Sequence, residues 1–299
     1  MYAFVYLPFV ACAIGVGAAR PVTRRTDPRR AARVLAVTGL VLAATTAAAL
    51  SLLAFTVIAR IPLVAVHGHW AASAVGHKEP VPAWIGVLAI ICIAAIAANA
   101  VRTLANYRRG LGHALRLQLA NSGKIITIAD PDPFAYACRA WPFRPGVIVV
   151  SGGLQQTLDA NQRAAVLAHE HSHLRNQHNL YELVALFISA LNPSLRPIER
   201  EIRFSLERWA DEDAAASQGR HVAASALAIS ALGRAHAAPA PALAHATNNA
   251  PARVRALLEN PPRHNRAFTA TAAVNATLAC IAVLLAAHST ELIFEALRR

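Results

Sequence analysis

The stretch that decides the fold is residues 166–178, VLAHEHSHLRNQH, because it contains the pattern His-Glu-x-x-His. On a helix, residues four positions apart project from one face, so His169 and His173 can hold one metal ion. Glu170, beside the first histidine, can accept a proton from a water molecule held by that ion. The spacing therefore predicts a catalytic site with one zinc ion per chain.

The helix that carries this stretch is expected to run from about Asn161 to Asn179, with Asp159 as its N-cap. His171 lies two positions from the first histidine of the motif, about 200° round a helix, so it should point away from the metal. His178 is five residues beyond the second histidine and is likewise off the ligand face. Both are expected to be polar or supporting residues rather than ligands.

The third metal ligand must come from elsewhere, since a catalytic zinc site uses three protein ligands and keeps one open position. Five downstream glutamates are candidates: Glu182, Glu199, Glu201, Glu207 and Glu212. Glu207 differs from the others because Asp211 follows one turn later, on a polar helix predicted from about Pro197 to Ser217. One carboxylate of this pair can bind metal while the other accepts a hydrogen bond from a ligand histidine. Spacing alone leaves the choice among the five open.

Outward from the motif, the chain is unusually apolar. Hydrophobic residues make up 56% and charged residues 15%, with a mean hydropathy of +0.38, which excludes a disordered chain. Four uncharged runs reach the roughly 20 residues needed to cross a bilayer, at about 1–19, 34–59, 80–101 and 267–287. The first run lacks a preceding basic region, so we expect a retained anchor rather than a signal peptide.

Arginines predict the orientation of these spans. The net charge is +13, and many basic residues cluster at the ends of the apolar runs, as in a membrane protein rather than a nucleic-acid-binding one. The loop between the first two spans is strongly basic, and so is the segment after Arg102, whereas the loop between spans two and three is nearly neutral. The positive-inside rule places both basic segments in the cytoplasm. We expect no direct contact with nucleic acid.

The sequence thus predicts a mainly α protein in which transmembrane helices carry a cytoplasmic α+β zincin-like metallopeptidase domain. The predicted division is three spans in 1–102, the peptidase domain in 103–266, and a final span with a short tail in 267–299. Short strands are expected at 124–129 and 147–150. Either the second of these or the segment 134–137 is expected to pair with an extended substrate.

Two segments of the predicted domain need a separate interpretation. Residues 180–195 are apolar but contain Glu182 and Pro193 and are too short for an ordinary crossing. A single crossing would also separate the motif from Glu207, so we expect a buried or interfacial helix, or a re-entrant hairpin. Residues 236–251 are rich in Ala and Pro and are expected to form a flexible loop.

The motif stretch, together with Glu207-x-x-Ala-Asp211, resembles the membrane-embedded zinc metallopeptidases of the gluzincin type. Two groups match: the HtpX/CAAX-type proteases, and the antirepressor peptidases of the β-lactam-sensor family. Segments 133–137, 145–150 and 180–195 are more similar to the second group. The resemblance spans roughly 105–260 and implies that Glu207 is the third ligand and Asp211 its supporting carboxylate.

The resemblance also implies a function, with one departure. The β-lactam sensors carry a penicillin-binding domain after the last span, whereas this sequence has no Ser-x-x-Lys acylation motif, since neither lysine follows a serine at that spacing. β-Lactam sensing by this chain is therefore not expected. The partners implied are the lipid bilayer and a protein or peptide substrate, with a repressor as the usual partner in the family.

We therefore expect a multi-pass protein of a bacterial cell membrane that hydrolyses peptide bonds of a cytoplasmic or membrane-associated protein. Two alternatives stay open: a signal-transducing receptor with a non-catalytic zinc site, and a quality-control protease for membrane proteins. The intact motif disfavours the receptor, because a structural zinc site does not need Glu170.

Overall fold

The computed structural model describes residues 2–70, 75, 81–121, 123–139, 144–236, 249–259 and 266–298. This part of the chain is mostly helical with one small sheet, so the predicted fold class is confirmed. The helices in chain order are α1 (Leu7–Arg25), α2 (Pro28–Ile58), α3 (Pro62–Gly68), α4 (Ala83–Asn121), α5 (Gly152–Thr157), α6 (Ala160–Arg175), α7 (His178–Leu191), α8 (Arg196–Gln218), α9 (Arg220–His236), α10 (Ala250–Leu258) and α11 (Arg266–Arg298).

Three short strands form the sheet: β1 (Ile125–Ile128), β2 (Ala135–Cys138) and β3 (Val147–Ser151). Their order is β1-β3-β2, with β1 parallel and β2 antiparallel to β3. Both predicted strands are present. Because β3 is central and paired on both sides, it cannot accept a substrate strand, so that alternative is wrong. Within the described residues β2 pairs with β3 on one side only, and it packs against α6.

Four helices are long and apolar enough to cross a membrane: Phe4–Arg25, Pro28–Ile58, Ala83–Asn121 and Ala270–Leu292. They overlap the four predicted spans. The helix α4 continues for 39 residues, well past Arg102, so the predicted boundary between membrane segment and peptidase domain falls inside a helix. The division of the chain into three parts stays a prediction.

The helix predicted from about 161 to 179 is wrong at its end. The N-cap at Asp159 is confirmed, but α6 ends at Arg175 and α7 begins at His178. Between them Gln177 has φ +52°, in the left-handed region that interrupts a helix. No glycine or proline stands at this point, so the sequence pattern gave no stop signal.

The apolar segment after the motif forms α7, which packs against α2, α4 and α8. Its 14 residues span roughly 21 Å, less than the ~30 Å of a hydrocarbon core. Gly39 allows α2 to lie close to it, since a Cβ there would be 2.7 Å from the Cδ1 atom of Ile188. Whether α7 lies at the membrane interface stays a prediction.

One apolar core joins the candidate membrane helices to the helices of the predicted peptidase domain. Leu35 and Leu42 of α2 pack in one cluster with Ile188 of α7 and with Ile198 and Ile202 of α8. All five side chains are buried. The loop predicted at 236–251 is wrong at its ends, where α9 reaches residue 236 and α10 begins at residue 250, while 237–248 lie outside the described residues.

Candidate active site

The motif helix α6 is fixed at its start by a capping box. The Asp159 carboxylate accepts a hydrogen bond from the backbone N–H of Gln162 at 2.8 Å, and the Gln162 side chain accepts one from Asp159 N–H at 3.0 Å. From this start the helix presents His169, Glu170 and His173 to a cavity of about 240 Å³. His171 is exposed on another face, with its Nδ1 2.8 Å from the Leu167 carbonyl oxygen.

Three candidate metal donors converge beside this cavity. The Nε2 atoms of His169 and His173 lie 3.1 Å apart, and the Glu207 carboxylate oxygens lie 3.7 Å and 3.5 Å from them. One donor atom from each of the three residues lies within 4.8 Å of the other two. Two imidazole nitrogens and one carboxylate oxygen are the donor set of a catalytic zinc site, so the residues present fit that ion.

The other candidate glutamates are placed elsewhere. Three of them have their own partners: Glu199 with Arg203 at 3.2 Å, Glu201 with Thr23 at 2.6 Å, and Glu212 with Arg220 at 2.6 Å. Glu182 lines the cavity but is not part of the three-residue group. Of the five, Glu207 alone joins the two histidines within the described part of the chain.

Asp211 lies on the far side of the first histidine. Its Oδ1 atom is 3.0 Å from His169 Nδ1, and its side chain is only 5% exposed. A histidine that binds metal through Nε2 carries its proton on Nδ1, so this contact orients His169 for ligation by donating Nδ1–H to the carboxylate. The predicted supporting carboxylate therefore has the geometry that this role needs.

His173 has a different partner on its Nδ1 atom. The Nδ1 atom of His178, at the start of α7, is 2.9 Å away, and His178 is almost fully buried between His173 and Trp209. Burial and the neighbouring His173 lower the pKa of His178 to about 3, so this imidazole is neutral. It can therefore accept a hydrogen bond from His173 Nδ1–H.

Arg253, on α10, is a site residue that the sequence analysis missed. Its guanidinium contacts Glu207 Oε2 at 2.7 Å and both carboxylate oxygens of Asp211 at 2.6 Å and 2.7 Å. No local pattern marks it, because it lies 42 residues after Asp211. Only its position in an amphipathic segment after the Ala/Pro-rich stretch distinguishes it in the sequence.

These charges shift the protonation of the donors when no metal is bound. Burial would lower the pKa of His169, but hydrogen bonds and charges from Asp211 and Glu207 outweigh it and raise that pKa to about 10. Burial would raise the pKa of Glu207, but Arg253 and the two histidines hold it well below its ordinary value. Without a metal ion, these contacts favour a protonated His169 and an ionised Glu207.

A second residue that sequence reasoning missed, the carboxylate of Asp213, fixes the back of the motif helix. Asp213 accepts hydrogen bonds from Ser172 Oγ at 2.6 Å, Asn176 Nδ2 at 2.9 Å and Arg175 Nη2 at 2.9 Å. Arg29, in the first turn of α2, also donates to it. Ser172 lies between the two histidines of the motif, so this cluster ties a candidate membrane helix to the ligand-bearing turn.

The cavity walls come from several elements. Phe134 and Tyr136 of the β2 region line one side, and Leu227 and Ser230 of α9 line another. Glu170 lines the same cavity and is mostly buried. An extended chain lying along β2 would therefore pass beside the motif.

Comparison with known proteins gives one match. The model of Peptidase family M48 matches residues 107–259, from within α4 to the residue after α10. Comparison with curated proteins and with solved structures found no match to the chain.

Proposed function

The chain belongs to Peptidase family M48, whose model covers just over half of it, and from this premise we propose that it is a membrane-bound zinc endopeptidase. Family membership implies zinc metallopeptidase activity. The observation that carries the finer proposal is the convergence of His169, His173 and Glu207 beside a cavity that Glu170 also lines. We assign these three as the ligands of one zinc ion and Glu170 as the general base.

A zinc ion held by these donors would supply Lewis-acid polarisation of the scissile carbonyl and of the attacking water. Glu170 takes the proton from that water and passes it to the leaving amine. Asp211 and His178 each accept the Nδ1–H of one ligand histidine, which leaves both Nε2 lone pairs free for the metal.

The substrate proposed is an extended segment of a protein. β2 is the edge strand beside the motif, so a peptide that adds to it in an extended conformation would bring its backbone to Glu170. Backbone pairing recognises extended shape rather than one side chain, which suits an endopeptidase. The bound segment must be unfolded locally, since a folded domain cannot present an isolated strand to the cavity.

The orientation and the pathway are also proposals. Four candidate membrane helices support association with a bilayer, and the arginines around them favour a cytoplasmic catalytic domain in a bacterial membrane. The resemblance to antirepressor peptidases makes a cytoplasmic repressor protein the first substrate class to test. A damaged membrane protein, as in quality control, is the alternative.

The experiment is comparative proteomics of cells that carry the wild-type chain or the Glu170→Gln variant. We expect one intact protein to accumulate in the variant while its cleavage product disappears. A repressor would identify a signalling pathway, and a set of unrelated membrane proteins would identify quality control. If Glu170→Gln cells keep full signalling output and show no accumulated protein, the endopeptidase proposal fails and the receptor takes its place.

A further inference from the structure

We propose that Arg253 is a positioning residue that holds Glu207 and Asp211 in the arrangement that metal binding needs. The inference rests on the proposed function, because it concerns the same zinc site. Arg253 lies outside the His-Glu-x-x-His motif and outside α8, the helix that carries Glu207 and Asp211. Arg253 does not touch the reacting atoms in this account and acts only through the two carboxylates.

The contacts of Arg253 use the whole guanidinium fork. Nη1 contacts Glu207 Oε2 at 2.7 Å, while Nε and Nη2 contact the two Asp211 oxygens at 2.7 Å and 2.6 Å. The Arg253 side chain is only 3% exposed. Buried, bidentate pairs of this kind fix direction as well as distance, because the guanidinium is planar and its donors have set angles.

The Arg253 guanidinium fixes the orientation of the Glu207 carboxylate by binding one of its two oxygens. Oε2 accepts from Arg253 and lies 3.7 Å from His169 Nε2, whereas Oε1 lies 3.5 Å from His173 Nε2. Arg253 thereby holds the carboxylate with one oxygen beside each of the two histidine donors.

The same fork orients the first histidine indirectly. Asp211 Oδ1 is shared between Arg253 Nη2 and His169 Nδ1. Any change in the angle of the Asp211 carboxylate would therefore turn the His169 ring. Arg253 thus positions two of the three candidate metal donors, Glu207 by direct contact and His169 through Asp211.

Charge balance gives a second reason for an arginine here. Glu207 and Asp211 lie one helical turn apart on α8, and two ionised carboxylates at that spacing repel each other. A buried charge that loses its partner is strongly unfavourable. Arg253 contacts both carboxylates and so offsets the charge of each.

The helix that carries Arg253 is itself firmly docked. Leu257, one turn beyond Arg253, packs in an apolar cluster with Ala214 and Leu227. The Arg220 guanidinium donates to the carbonyl oxygens of residues 256, 257 and 259, at 2.7–3.0 Å, and so caps the end of α10. The position of Arg253 is therefore set by α9 and by the end of α8, independently of the metal ligands.

The test compares Arg253→Lys and Arg253→Gln with the matched control Arg255→Lys in the full-length, detergent-purified protein. Arg255 lies on the same helix but is exposed, and among the described residues its ion pair is with Glu259, just after the end of that helix, at 2.9 Å. Zinc affinity is measured by competition with a chelator, and cobalt(II) is used as a probe whose visible absorption reports ligand geometry. Thermal unfolding of the metal-free protein is measured in parallel.

We expect Arg253→Lys to weaken zinc binding by about 10–100-fold and to change the cobalt spectrum, as is typical for partners of metal ligands. Arg255→Lys should leave both unchanged. If Arg253→Gln does not fold, Arg253→Lys carries the test, since it keeps the positive charge and loses only the fork.

Two outcomes overturn different statements. If the wild-type protein does not bind zinc stoichiometrically, the proposed function fails. If wild type binds zinc and folded Arg253→Lys matches Arg255→Lys in affinity and cobalt spectrum, the positioning role fails and the proposed function stands. A lower unfolding temperature alone, with zinc affinity unchanged, would likewise reduce Arg253 to a structural residue.

Discussion

The Nδ1 atoms of His173 and His178 lie 2.9 Å apart, so one of the two must donate a proton and the other must accept it. If His173 binds zinc through Nε2, its own proton is on Nδ1, and His178 is the acceptor. The two ligand histidines therefore have unlike partners: Asp211, which carries a charge, and His178, which is neutral. The first prediction follows from this difference.

Replacing His178 by phenylalanine should weaken zinc binding by about 10–100-fold, because the ring is kept but the hydrogen-bond acceptor is lost. His178→Gln, which can still accept through its amide oxygen, should recover part of the affinity. Chelator competition measures both variants. The matched control is His171→Phe, on the exposed face of α6, which should bind zinc as the wild type does. Equal affinity in all three variants would show that His178 has no role in zinc binding.

Glu170→Gln should remove peptide hydrolysis and leave zinc bound, since the role proposed for Glu170 is to act on the water and not on the metal. The loss should be several powers of ten in the rate of cleavage, because without a base the water must lose its proton unaided. Zinc content by elemental analysis and cleavage of an unfolded protein substrate are measured on the same sample. Loss of zinc from this variant would instead make Glu170 a ligand.

His169→Ala, His173→Ala and Glu207→Ala should each abolish stoichiometric zinc binding, because a three-ligand site has no spare donor. Asp211→Asn should keep the metal but bind it about 10–100-fold more weakly. Elemental analysis after dialysis against a weak chelator separates the two groups. Stoichiometric zinc in Glu207→Ala would point to Glu182, the other candidate ligand that lines the cavity.

The helix α7 should leave the motif and α8 on one side of the membrane. Cysteines introduced at the exposed positions Gln177 and Ser217, in a background without the four native cysteines, should both react with an impermeant reagent from the cytoplasmic side. Labelling from opposite sides would mean that α7 crosses the bilayer. His173 and Glu207 could not then share a metal ion, and the zinc site as assigned would be wrong.

Asp213→Asn should destabilise the protein by about 2 kcal/mol at pH 7, the scale of hydrogen bonds to a charged group. Burial would raise the pKa of Asp213, but bonds from Ser172 and Asn176 and the charges of Arg29 and Arg175 hold it below its ordinary value. A lowered folded-state pKa stabilises at pH values above the unfolded pKa of about 4, and this contribution is lost as the pH falls through the folded-state pKa. Thermal midpoints of wild type and variant should therefore converge below about pH 4. A gap that stays constant with pH would exclude a charge effect.

Local rules in the sequence predicted much of the fold. The capping residue Asp159 and the runs of β-branched residues at 124–129 and 147–150 act over a few residues, so they could be recognised without tertiary information. The break at Gln177 could not, because the left-handed conformation there is adopted by a glutamine and not by a glycine. Residues 176–178 continue the polar pattern of α6, which made the helix look longer than it is.

The residues of the candidate site likewise fall into two groups, those that a local pattern predicts and those that only helix packing brings together. His169, Glu170 and His173 follow from one helical period, whereas Glu207 was one of five glutamates until the resemblance singled it out. Arg253 and Asp213 gave no signal, because salt bridges between residues about 40 positions apart depend on how helices pack. From the sequence, an acidic residue on a polar helix is predicted to be a solvent-exposed charge, because its partner on another helix is not known.

The apolar cluster shared by α2, α7 and α8 limits how the catalytic part can be handled. A fragment of residues 107–259 would lack α2, which packs in one cluster with Ile198, Ile202 and Leu206. These buried side chains would then form an exposed apolar patch. Such a fragment should aggregate rather than become a water-soluble enzyme. Removing the membrane helices should therefore inactivate this peptidase rather than release it in an active form.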